Sequence, residues 1–140
     1  ILGFLCHWCS YAGADAAGIA RLAYPTNLRA IRVMCSGRID AALIMEAFAG
    51  GIDGVLICGC HEGDCHYIDG NVKAAARIAA LQQLLTQWGL ASQRLQFHVI
   101  SANEGQRFTT LVARITEQLR ALGPRSDAYA STRQSAMGGS

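Results

Sequence analysis

The stretch Cys58-Gly59-Cys60-His61-Glu62-Gly63-Asp64-Cys65-His66-Tyr67 constrains this chain more than any other, since it sets three cysteines and two histidines directly after the apolar run Gly54-Val55-Leu56-Ile57. A hydrophobic core has no use for that composition, whereas a short continuous apolar run reads as a buried strand. The same arrangement comes twice earlier. Cys6-His7-Trp8-Cys9 follows Ile1-Leu2-Gly3-Phe4-Leu5, and Cys35-Ser36-Gly37-Arg38 follows Ile31-Arg32-Val33-Met34. Three strand ends therefore deliver thiols, and the fold must accommodate them together.

Helix-sized segments separate these runs. Ser10 is expected to cap a helix through Ala12, Ala16, Ala17, Ile19, Ala20 and Leu22, stopped by Pro25. Leu28 to Cys35 reads as a second strand, and Asp40 as the cap of a helix with Leu43, Ile44, Ala47 and Phe48 on one face, closed by Gly50-Gly51. Gly54 to Ile57 is the third strand, apolar throughout as in a parallel sheet covered on both faces. Asn71 is expected to cap a helix whose Ile78, Leu81, Leu85 and Trp88 form a buried stripe ending at Gly89. Arg94 to Ile100 alternates as a fourth strand, with Leu95, Phe97 and Val99 on one face. Ser101-Ala102-Asn103-Glu104 reads as a capping box for a helix carrying Phe108, Leu111, Val112, Ile115, Leu119 and Leu122 as far as Gly123-Pro124.

Four strands alternating with four helices imply an α/β domain, a doubly wound flavodoxin-like or Rossmann-like parallel sheet with helices on both faces. In such sheets ligands sit beyond the carboxyl ends of the strands, near the reversal of strand order. Strands one to three end there in cysteine. The expected domain is 1–124, and 125–140, rich in Ser, Ala, Gly and Arg without periodicity, is expected to be a flexible or partner-bound tail.

The six cysteines admit a disulfide framework, inert buried thiols, or a metal or cluster site. A chain of 140 residues with 51 % hydrophobic residues can build a core without staples, and all six thiols fall in its first 65 residues, so the metal or cluster reading leads. Thiolates select zinc, copper(I) or iron-sulfur clusters. Gly13, Gly37, Gly59 and Gly63 permit close backbone approach, which suits a cluster whose sulfides accept amide donors. By spacing alone, iron-sulfur, zinc and the dithiol chemistry of Cys6-x-x-Cys9 all stay open. His61 and His66 are candidate ligands or donors, or simply polar loop residues. Arg32 and Arg38 could balance thiolate charge, and Trp8 and Tyr67 could pack over the site or against a partner. Glu62 and Asp64 read as solvated.

A net charge of +2 gives no footprint for nucleic acid. No apolar run reaches the roughly 18 to 20 residues of a membrane span. Reduced thiols and the lack of a basic leader at Ile1 set a cytoplasmic expectation.

The runs Cys6-His7-Trp8-Cys9-Ser10-Tyr11-Ala12-Gly13-Ala14-Asp15, Val33-Met34-Cys35-Ser36-Gly37-Arg38 and Gly59-Cys60-His61-Glu62-Gly63-Asp64-Cys65-His66-Tyr67, with Gly70-Asn71 after, resemble the delta subunit of methyl-viologen-reducing (F420-non-reducing) hydrogenase. Ser101-Ala102-Asn103-Glu104-Gly105-Gln106-Arg107-Phe108 resembles a further run of that family, and the likeness covers about residues 2 to 124. The resemblance implies a small electron carrier with one [2Fe-2S] cluster, docking on a heterodisulfide reductase A-like flavoprotein. It would relay electrons from a hydrogenase, formate dehydrogenase or other donor module within a bifurcating or confurcating oxidoreductase, without a complete active site of its own. The family's motif cysteines fall on Cys6, Cys9, Cys35, Cys60 and Cys65, five candidates for four ligand places, while Cys58 stands at a variable position. The alternative is a zinc-stabilised docking module without redox role; a thiol-disulfide oxidoreductase is a third reading.

Overall fold

Strand β3 (Val55–Gly59) is buried at every residue, and the rest of the domain is laid around it. The computed structural model describes residues 1–125. In chain order it contains β1 (Leu2–Cys6), α1 (Ser10–Ile19), β2 (Arg29–Val33), α2 (Ala41–Ala49), β3, α3 (Gly70–Gln87), β4 (Leu95–Val99) and α4 (Gly105–Leu122). All pairings are parallel and the strand order is β2-β1-β3-β4. The order reverses between β1 and β3, the two central strands. The α/β doubly wound reading therefore holds.

Alternation along the central strands divides the core in two. Phe4, Val55 and Ile57 point to α2 and α3, where they meet Ile44, Phe48, Ile78, Leu81 and Leu85. Leu5, Leu56 and Cys58 point the other way, to Ala17 of α1 and to Phe108, Val112 and Ile115 of α4. This is the period-2 rule of a strand applied to a sheet covered on both faces. α4 carries the cleanest stripe and buries Phe108 and Val112 completely.

Several local expectations change. Ser10 does not cap α1: its Oγ accepts from the Cys6 amide at 2.7 Å and donates to the Cys58 carbonyl at 2.8 Å, bridging β1 to β3. α1 buries Ser10, Gly13 and Ala17, small residues that let it approach α4 closely, so Ile19 falls outward and is 85 % exposed. A Cβ on Gly13 would stand 2.8 Å from the Ser101 carbonyl oxygen, and one on Gly105 2.9 Å from the Ala17 nitrogen. β2 is shorter than expected and exposed, because it is an edge strand, where Arg29 and Arg32 reach water. The stripe of α3 stops at Leu85, and Trp88 at its end is 62 % exposed. Asp40 caps α2 as expected, accepting from the Leu43 amide at 2.9 Å.

At the start of α4 only half of the capping box forms. Glu104 Oε2 accepts from the Ser101 amide at 2.8 Å, while Ser101 Oγ bonds Asn103 Oδ1. Arg125, the first residue of the expected tail, is tied to the domain by donating to the Phe48 carbonyl at 2.6 Å. The rest of that tail, 126–140, lies outside the described residues. Among the described residues no helix is long and apolar enough to cross a membrane.

Candidate metal centre

The reversal of strand order places the end of β1 beside the end of β3, and both carry thiols. Cys6 is the last residue of β1 and Cys60 the first residue beyond β3; their Sγ atoms are 3.8 Å apart. Cys9, at the N-cap of α1, joins them, so that the three sulfurs lie within 4.8 Å of one another, all buried. A second pair lies alongside. Cys35, just beyond β2, and Cys65, in the loop before α3, have Sγ atoms 3.9 Å apart and are half-buried. All five motif cysteines thus gather at the carboxyl ends of β1, β2 and β3.

Two glycines make the gathering possible. The backbone of Gly70, at the first turn of α3, packs so close to the thiols that an added Cβ would run into Cys35 Sγ and stand 3.4 Å from Cys65 Sγ. A Cβ on Gly37 would in turn stand 3.0 Å from Gly70 backbone. The space is shaped for sulfur and bare backbone.

The sulfurs differ in what they accept. Cys6 is pushed down to about 5 by hydrogen bonding from the Cys9 thiol, against burial and helped by the Trp8 and Ser36 amides. Cys9 is correspondingly held protonated, first by donating to Cys6 and then by burial. Burial pushes Cys60 up to about 11. Burial also raises Cys35, opposed by the Gly37 amide, whose nitrogen is 3.4 Å from its sulfur. For Cys65 burial is outweighed by the Asn71, Tyr67 and Gly70 amides and the Cys35 thiol, and the thiol is lowered.

Cys58 is elsewhere. It lies within β3 on the face toward α1 and α4, fully buried among Leu5, Ile100 and Phe108, and burial pushes its thiol up to about 12. Of the histidines, His61 points to Glu104, with Nε2 2.8 Å from Oε2, and His66 stacks on Trp8 with ring centroids 3.7 Å apart. Neither joins a group of potential ligand atoms with the cysteines. Trp8 and Tyr67 flank the site, each about half exposed. Arg32 lies over the Tyr11 ring, while Arg38, Glu62 and Asp64 are exposed.

Residues with capping signatures take a larger part than their local pattern announces. Asn71 is 3 % exposed, and its Nδ2 donates to the carbonyls of Cys60 and His61 at 3.0 and 2.8 Å, pinning the loop that carries Cys60. Arg77 donates to the Gly37 carbonyl at 3.1 Å and to that of Ile39, holding the Cys35 loop from α3. Asn71 carries a cap signature in the sequence but lies inside the first turn of α3, whose N-cap is Asp69, and Arg77 carries no signal there. An apolar groove of about 350 Å³ lined by Met45, Phe48, Leu85, Trp88 and Leu122 contains no thiol.

The arrangement can bind soft metal through thiolates in a pocket with backbone donors. It matches known proteins closely. The family model described as methyl-viologen-reducing hydrogenase, delta subunit, matches residues 1–123. The chain is 48 % identical over 124 residues to the vhc iron-sulfur subunit of F420-non-reducing hydrogenase from Methanococcus voltae, covering 89 % of this chain and 86 % of that protein. It is 43 % identical over 124 residues to the iron-sulfur subunit of F420-non-reducing hydrogenase from Archaeoglobus profundus, covering 89 % and 90 %. It is also 46 % identical over 124 residues to the A-type polypeptide of the ferredoxin:CoB-CoM heterodisulfide reductase from Methanosarcina mazei, where the match spans 89 % of this chain but only 16 % of that protein.

Proposed function

This chain belongs to the methyl-viologen-reducing hydrogenase delta subunit family, and we propose that it is the one-electron relay of an oxidoreductase assembly, built to hold a [2Fe-2S] cluster. The observation that carries this reading is the pair of thiol pairs, 3.8 Å for Cys6 and Cys60 and 3.9 Å for Cys35 and Cys65. Two thiolates on one tetrahedral metal, with bonds of about 2.3 Å, stand roughly 3.8 Å apart. Cys6 and Cys60 would hold one iron and Cys35 and Cys65 the other. Cys9 is then the fifth thiol, beside the first pair.

Bound there, the cluster supplies one-electron redox chemistry. The chain's own residues do the rest. The four thiolates would bind the iron, the Gly37 amide donates to Cys35 Sγ, and Asn71 and Arg77 fix the ligand loops. The relatives support the wider role. Two are named iron-sulfur subunits of hydrogenases, and in the heterodisulfide reductase polypeptide the matching stretch is a minor part of a longer chain. We therefore assign residues 1–124 as a cytoplasmic electron-transfer domain. It would run between a hydrogenase- or formate dehydrogenase-type donor and a heterodisulfide reductase A-like flavoprotein in a bifurcating or confurcating complex.

A second reading has an observation of its own. Cys6, Cys9 and Cys60 form a compact trio that could serve as three ligands of a zinc-stabilised docking module. It would leave the Cys35 and Cys65 pair without a purpose. Iron, zinc and acid-labile sulfide content with EPR on anaerobically purified protein decides between them. Two irons and two sulfides per chain with a signal on reduction support the relay; zinc without sulfide overturns it.

A further inference from the structure

Resting on the [2Fe-2S] reading above, we propose that the two iron positions are inequivalent and that the electron resides on the iron held by Cys35 and Cys65, the pair nearer the surface. One-electron reduction converts one ferric iron to ferrous and adds one negative charge to the site. The charge settles where the surroundings favour it most.

The two thiol pairs have different surroundings. Cys6 and Cys60 are 1 % and 2 % exposed, and Cys6 Sγ stands 3.8 Å from the Met34 carbonyl oxygen, an acceptor. Cys35 and Cys65 are half-buried, and the Gly37 amide donates to Cys35 Sγ at 3.4 Å. Both also lie at the start of α3, an 18-residue helix whose first residue, Gly70, is in contact range of both sulfurs. A helix N-terminus carries roughly half a positive charge within its first turn. Hydrogen bonds to ligand sulfur and a positive dipole both favour the reduced state. The nearby acids weigh little against this: Asp69 is paired with Lys73 at 3.0 Å, and Glu62 and Asp64 are exposed and screened.

The same side reaches the surface. Met34, one residue before Cys35, is 53 % exposed, and Tyr67 and Ile68, just after Cys65, are 48 % and 87 % exposed. Ile68 has φ +76, a left-handed conformation that a β-branched residue avoids. It is fixed by the turn in which its amide donates to the Cys65 carbonyl at 3.0 Å. The loop turns back on the Cys65 backbone and leaves the Ile68 side chain in solvent.

The test uses the cluster-loaded protein. Iron and sulfide content with EPR comes first, and its failure would count against the [2Fe-2S] reading itself. With a cluster present, EPR-monitored redox titration compares serine variants. Cys35→Ser and Cys65→Ser are expected to change the g-values and lower the midpoint potential, because a serinate on the ferrous iron destabilises the reduced state. Cys6→Ser and Cys60→Ser should move both less. The reverse order, or equal shifts at all four, overturns the proposal. Where a variant does not retain its cluster, proton NMR of the reduced wild type decides. Cysteine β-protons on the ferrous iron show shifts that change with temperature oppositely to those on the ferric iron. Ferrous behaviour is expected for those with Overhauser contacts to Gly70 or Tyr67; ferrous behaviour in those contacting Trp8 or Ser10 overturns it.

Discussion

Nε2 of His61 and Oε2 of Glu104 lie 2.8 Å apart, joining the cysteine-rich loop after β3 to the start of α4. The same Glu104 oxygen accepts from the Ser101 amide, so one carboxylate anchors two chain segments. The hydrogen bond from His61, then that from Ser101, holds Glu104 down to about 2. A carboxyl whose folded pKa is depressed contributes stability that is complete above its unfolded value of about 4.3 and is lost as pH falls toward the folded value. Between about pH 4.3 and 2 the wild type should lose stability that Glu104→Gln does not have to lose. Denaturation midpoints of the apo protein across that window check this, and parallel curves for the two proteins would sink it.

The cysteine scan should divide the six thiols four to two. Cys6→Ser, Cys35→Ser, Cys60→Ser and Cys65→Ser are expected to lose most of the bound iron, or to change its EPR signal. Cys9→Ser should keep two irons per chain. Cys58→Ser should keep them as well, at a cost of about 1–3 kcal/mol in stability for a hydroxyl placed among Leu5, Ile100 and Phe108. Full iron and an unchanged signal in Cys35→Ser would remove that residue from the ligand set.

Gly70→Ala opposes two effects of known sign. Alanine at a helical position is worth up to about 1 kcal/mol over glycine, but here its Cβ would run into Cys35 Sγ. The sulfur has to move, and with it the ligand geometry. The variant is expected to fold and to bind iron substoichiometrically or with an altered spectrum. Full occupancy with wild-type g-values would show that the site tolerates the methyl group.

Asn71→Ala removes the donor that the carbonyls of Cys60 and His61 share. Leaving buried acceptors unmet costs about 1–3 kcal/mol, so a urea midpoint lowered by that amount is expected in the apo protein. Faster loss of the cluster in air should accompany it, because the Cys60 loop is no longer pinned. An unchanged midpoint would mean that water replaces the side chain.

For the core away from the cysteines, Phe108→Ala should cost about 3–5 kcal/mol. Phe108 is fully buried between α1, α4 and the sheet. Urea denaturation of the apo protein reads this directly, and a loss under about 1 kcal/mol would show that the α4 face repacks.

The α/β alternation, the apolar third strand, the Asp40 cap and the gathering of thiols at three strand ends were legible in the sequence, because each rests on neighbours along the chain. Period-2 and period-3.6 patterns and cap residues report local geometry, and a parallel sheet necessarily puts the carboxyl ends of its strands on one side. Strand order was not legible. It depends on which edges pair, and it decided that β2 is exposed while β1 and β3 stand side by side, which in turn put Cys6 against Cys60. The separation of Cys58 from Cys60 also required the fold: one lies in the strand, facing α1 and α4, and the other just beyond the strand's end. Ser10, Asn71 and Glu104 carried cap signatures, yet Ser10 and Asn71 are drawn to carbonyls from distant strands and loops, and Glu104 divides its carboxylate between the cap and His61. A polar side chain bonds whatever unsatisfied backbone the tertiary structure brings near it, and that cannot be read from its own neighbours. Composition and periodicity thus determined the scaffold and the kind of chemistry, while the pairing of sulfurs was decided by packing.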